Sequence, residues 1–104
     1  MNINLLSKRD KKRVFIRSLM VLNGITGTEV ANTVGVTPAF VSMVISGKER
    51  SIRVQKAIAQ ALIERIAANK GEQKTARVRK RIALALGIRE EDIPRRNNHS
   101  GKAA

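Results

Sequence analysis

The chain has 104 residues, one domain's worth of polypeptide with room for a modest core. Its 21 Lys and Arg against 8 Asp and Glu leave a formal charge of +13, and the absence of cysteine excludes disulfides and thiolate zinc sites. No apolar run approaches the roughly 20 residues of a spanning helix, and no signal-peptide core is present, so the expected setting is cytoplasmic, beside the nucleoid, without a membrane partner. The basic excess points to a polyanion, with counterion release from phosphates as the source of affinity. Phe15 and Phe40 are the only aromatics. That argues against single-strand or RNA binding, which wants several stacking platforms among the basic groups; duplex DNA needs none.

The first nine residues have no clear period, although Ile3, Leu5 and Leu6 could pack as a lead-in. From Asp10 the pattern predicts a helix to about Asn23, with Val14, Phe15, Ile16, Leu19, Val21 and Leu22 as a broad apolar surface and Asn23-Gly24 as its end. Its start is crowded with Lys8, Arg9, Lys11, Lys12, Arg13 and Arg17. Cations there oppose the helix dipole, by a few tenths of a kcal/mol each. Phosphates would neutralise them; a solvated basic face is the plainer alternative.

Residues 26–48, TGTEVANTVGVTPAFVSMVISGK, read as two short helices around a tight turn. Thr26 and Glu29 have the spacing of a capping box. Val30, Ala31 and Val34 form one inner face, and Gly35 stands where a residue of positive φ ends a helix. Thr37-Pro38 starts the next helix, with threonine as cap and proline at the first helical position. Val41, Val44 and Ile45 form its inner face and Gly47 stops it. Helices this short cannot stand alone; they are useful when the second presents its outer face to something.

Ala31, small where two helices would cross, Gly35, the aliphatic plug Val36, Thr37, Val41, Ser42, Val44 and Gly47 together resemble the helix-turn-helix of the lambda-type repressor and Cro family, the XRE-like group, over residues 27–46. A plain αα-hairpin is the alternative. The resemblance implies an all-α fold, a compact bundle of about five helices with a central helix-turn-helix, and a phage or prophage regulator. It also implies that residues 38–46 enter the major groove with Pro38, Ala39, Ser42 and Met43 towards the bases. None of these four can make the bidentate hydrogen bonds by which Arg reads guanine or Gln reads adenine. Thymine-methyl contacts from Ala39 and Met43, a hydroxyl contact from Ser42 and DNA shape remain. Phe40 packs in the core or faces the groove. Thr37, Ser46, Lys48 and Arg50 suit phosphates, with Arg53 beside them and Lys11, Lys12, Arg13 and Arg17 as additional backbone contacts.

Ser51 is a plausible cap for a helix from Ile52 to about Asn69, whose Val54, Ala57, Ile58, Ala61, Leu62, Ile63 and Ile66 recur at helical spacing. Residues 70–74 read as a linker, Thr75 to Leu86 as a further helix ended by Gly87, and Glu90-Glu91-Asp92 as an acidic turn. The segments 53–62 and 77–86 align at an offset of 24 residues with seven of ten positions identical. Relatives in the resembled family usually carry this run once, after the second helix of the motif, so the chain looks duplicated here; convergence of two Ala-rich helices is the alternative. The last helix, with its stripe of Val78, Ile82, Ala85 and Leu86, either folds back as an intramolecular hairpin or forms a subunit contact, and a homodimer reading half-sites by two-fold symmetry favours the second. The expected organisation is a DNA-binding unit over 1–69, a C-terminal helix over 70–93 and a disordered basic tail over 94–104.

Catalysis has little support. His99 is alone in the tail, the carboxylates at 90–92 read as a solvated cap, and no phosphate loop, nucleophile-base set or metal spacing occurs, so no enzyme, metal or cofactor is expected. The leading reading is a sequence-preferring transcriptional regulator, a repressor, bound to double-stranded DNA. An antitoxin-like adaptor that binds DNA with one part and a protein partner with the C-terminal helix, and a basic protein on anionic lipid, are the other two readings.

Overall fold

The computed structural model describes residues 7–93, which form five α-helices and a short 3-10 turn; Ile3, Leu5, Leu6, Pro94, His99 and the predicted tail lie outside the described residues. The helices are α1 (Lys8–Leu22), α2 (Gly27–Val34), α3 (Pro38–Ser46), α4 (Ile52–Lys70) and α5 (Glu72–Leu86), and the turn spans Glu90–Asp92. The fold is an all-α bundle, as the periodicities predict.

Local chemistry accounts for most of the boundaries. The Thr26 hydroxyl accepts the Glu29 amide at 3.1 Å, Thr37 accepts the Phe40 amide at 3.1 Å, and Ser51 accepts the Val54 amide at 3.3 Å. Each satisfies one donor that the first turn of a helix leaves without an intrahelical partner. Only half of the predicted capping box forms, because the Glu29 carboxylate meets Arg65 of α4 at 3.0 Å rather than returning to Thr26. The first helix begins at Lys8, earlier than Asp10, since Ser7 accepts the Asp10 amide at 3.1 Å and supplies the cap.

The predicted linker over 70–74 is a single residue. Gly71, at φ +93°, separates α4 from α5, and Glu72, Gln73 and Lys74 are already helical. These residues carry good helix propensity, and nothing but the glycine interrupts them. Thr75 is therefore inside α5, and its hydroxyl donates to the Gly71 carbonyl at 3.0 Å.

One core runs through all five helices. Ile16, Val30, Ala31, Val41, Val54, Ile58, Leu62, Ile63, Ile82 and Ile93 are buried in a common cluster, with Phe15 and Phe40 packed on its margin. The choice left open for α5 is resolved inside the chain. Ile82 and Leu86 are buried, Val78 and Ala85 pack against the same core, and α5 lies on α4 and α1 as an intramolecular hairpin. The stripe that suggested a subunit contact is covered by the chain's own helices, so 70–93 shares the core of 1–69.

The two aligned segments behave alike: Ile58 and Ile82, Ala59 and Ala83, and Leu62 and Leu86 are all buried pairs at the 24-residue offset. The third position of each is a buried polar side chain that donates to a carbonyl at a helix or turn end, Gln55 to Leu86 at 2.6 Å and Arg79 to Ile93.

Beyond α5, Arg89 binds Asp92 through two hydrogen bonds of 3.2 and 3.3 Å. Hydrogen bonding to this guanidinium, with its charge and that of Lys56 in support, holds the Asp92 carboxyl below its ordinary value of 3.8. A carboxyl whose folded-state pKa is depressed stabilises the fold above its unfolded pKa and loses that contribution as the pH falls through the folded value. Asp92→Asn is therefore expected to lower the melting temperature slightly at pH 7, by an amount that shrinks as the pH falls below 3.8, read by melting both proteins across the acidic range.

Gly35 and Gly47 close α2 and α3 at φ +77° and +86°. A Cβ on Gly35 would meet open space, whereas one on Gly47 would lie 3.2 Å from Arg9 Cδ. Gly35→Ala is expected to cost the left-handed penalty alone, about 1–2 kcal/mol. Gly47→Ala should cost that penalty and displace Arg9 as well; urea titration of the two variants gives the comparison.

Candidate nucleic-acid interface

The chain direction turns through 108° between α2 and α3 across the three residues Gly35, Val36 and Thr37. This lies within the 90–120° range of a helix-turn-helix. Ala31 is fully buried, and Gly35 and Val36 both donate their amides to its carbonyl, at 2.8 and 3.0 Å, which ties the turn to the end of α2. Val36 packs against the core as the predicted plug.

Burial separates the two faces of α3. Val41 and Val44 are buried and Phe40 and Ile45 are partly covered, whereas Pro38, Ala39, Ser42 and Met43 are exposed. All four residues assigned to the bases thus lie on one open surface. Phe40 packs on the core rather than standing in solvent.

The residues assigned to phosphates flank this surface with differing freedom. Lys48 and Arg50 are exposed in the α3–α4 turn. The Thr37 oxygen is occupied as the α3 cap, and the Ser46 hydroxyl donates to the Met43 carbonyl at 3.1 Å. Arg53 is exposed, but its guanidinium reaches back to the Val34 carbonyl at 2.7 Å, closing the C-terminal end of α2. One of its donors is therefore structural.

The basic stripe of α1 reaches α3. Arg9, Arg13 and Arg17 recur every four residues and share one flank of the helix. Arg9 lies against Gly47, where its positive charge favours the negative end of the α3 dipole. Arg13 pairs with Asp10 at 3.5 Å, and Arg17 donates to the Ser42 hydroxyl at 2.9 Å. Lys11 and Lys12 are exposed. A cleft of about 190 Å³ draws Arg9 and Lys12 of α1 together with Arg50 and Glu49 beyond α3. Two groups of cations, 38 or more residues apart in sequence, thereby form one surface at the end of α3.

Arg9 and the Arg17–Ser42 contact are the features that the sequence did not disclose. The i, i+4 spacing of the arginines was visible, but the side of α1 that meets α3 depends on long-range packing. No group of three or more His, Asp or Glu able to hold a metal ion occurs among the described residues. No family model matches the chain, and no curated protein or solved structure matches it significantly.

The Thr37 hydroxyl has a structural task before any ligand arrives. Thr37→Ala is expected to lower unfolding free energy by about 1 kcal/mol and Thr37→Ser to keep most of it, measured by thermal denaturation without DNA.

Proposed function

We propose that the chain is a sequence-preferring double-stranded-DNA-binding transcriptional regulator, a repressor that occludes promoter DNA, with α3 laid in the major groove. The observation that carries this reading is the division of α3: aliphatic side chains turned into the core, and Pro38, Ala39, Ser42 and Met43 turned out. An α-helix fits the major groove, and small outward side chains let it approach the base edges. Cations from α1 and from the turn after α3, gathered on one surface at the end of that helix, suit the phosphates that border a groove.

In this reading the protein acts by binding, with no catalytic step and no cofactor. No helix among the described residues is single-handedly long and apolar enough to cross a membrane, and a cytoplasmic, nucleoid-associated setting is part of the proposal. So is a homodimer, since readers of this kind bind half-sites about 34 Å apart. Its interface would lie elsewhere than the inner stripe of α5, which is buried within the chain.

The test is a binding titration with a duplex selected from a random pool, set against unselected duplex at two salt concentrations. A regulator shows a steep loss of affinity with salt and a surviving preference for the selected duplex. Lys48→Ala is expected to weaken both duplexes alike and flatten the salt dependence, whereas Met43→Ala should change the preference more than the overall affinity. Equal affinity of the parent protein for every duplex would replace the regulator with a packaging protein.

A further inference from the structure

The outer face of α3 lacks any side chain that can read a base pair with two hydrogen bonds, yet a guanidinium stands on it. Arg17 belongs to α1, and its Nη2 donates to Ser42 Oγ at 2.9 Å across 25 residues of sequence. Both residues are exposed, and Arg17 forms no salt bridge among the described residues, in contrast to Arg13 one turn earlier, which is paired with Asp10. We propose that Arg17 is a base-reading residue of the α3 surface, held there by Ser42, and that it recognises a guanine. This rests on the reading of α3 as a major-groove helix.

The chemistry follows from the donor count. A guanidinium carries five N–H donors in a rigid plane, of which Ser42 engages one. The four that remain include adjacent pairs that match the O6 and N7 acceptors of guanine, the pairing by which arginine most often reads a base. Ser42 is a positioning residue: its hydroxyl restrains a long side chain that would otherwise sample many rotamers, so less freedom is lost on binding. Ala39, one turn before Ser42 on the same exposed face, projects only a methyl group. The missing direct readout of α3 is thus supplied by the neighbouring helix.

The experiment is selection of preferred duplexes from a random pool with the parent protein, followed by competition binding of Arg17→Ala, Arg17→Lys and Ser42→Ala to the selected duplex and to versions changed at each guanine. Arg17→Ala is expected to lose discrimination at one guanine by about tenfold or more, with affinity for unselected duplex changed far less. Arg17→Lys keeps the charge but not the planar fork and should lose the same discrimination. Ser42→Ala should weaken preference at that guanine, and adding it to Arg17→Ala should cause little further loss, as coupled residues require. Thermal melts of the variants should match the parent, because both side chains are exposed. The proposal is overturned if Arg17→Ala weakens all duplexes equally while Arg17→Lys behaves as the parent, which is the signature of a phosphate contact. It is also overturned if no selected guanine depends on Arg17 while selection still succeeds. A parent protein that binds no duplex would instead remove the major-groove reading itself.

Discussion

The turn from α2 into α3, tied at Ala31, is the constraint on which the rest of this structure depends. A fully buried methyl side chain there, with two amides beyond the helix folded back onto the Ala31 carbonyl, fixes where the chain turns and how sharply. Once that angle is set, Val41 and Val44 have one place to go, and their burial decides what α3 shows to solvent. A nine-residue helix has too little intrinsic stability to choose its own orientation. Its functional face is therefore a consequence of the core beneath it.

The basic excess has two roles that composition cannot separate. Several guanidiniums close the ends of helices and turns. Arg65 donates to the Asn23 carbonyl at 2.8 Å and to Glu29, tying the end of α1 and the start of α2 to α4. Arg53 closes α2, Arg79 holds the Ile93 carbonyl, and Arg9 covers the end of α3. Arg81 lies 4.7 Å from the centre of the Phe15 ring and links α5 to α1. Such contacts keep the positive charge even where they spend hydrogen-bond donors, as at Arg53, Arg65 and Arg79, so a residue can serve the fold and still contribute to the field that attracts an anion. The lysines at 11, 12 and 48 are exposed and stand open to a backbone phosphate.

What was legible in the sequence was local. Thr26, Thr37 and Ser51 could be read as caps, and Gly35, Gly47 and Gly87 as stops, because each acts within a few residues of itself. The inner and outer faces of α3 followed from helical spacing once its start was fixed by Thr37-Pro38. The start of α1 was missed through a local cap, Ser7, but the other misplaced features leaned on longer reach. The run after Lys70 has the polarity of a linker and the propensity of a helix, and packing of Ile82 and Leu86 on α4 and α1 settled the matter. The stripe of α5 announced that it needed cover without saying whether the cover belonged to the same chain. Arg17 carried no mark of its partner, since Ser42 lies on a different helix.

These points converge on the surface made by α3 and the arginine flank of α1. The most direct measurement is an amide chemical-shift map of the protein titrated with a selected duplex. The largest changes are expected at residues 37–43 and at the α1 positions beside them, with the amides of α5 nearly still. Changes confined to α5, with the amides of α3 unmoved at saturation, would contradict the account.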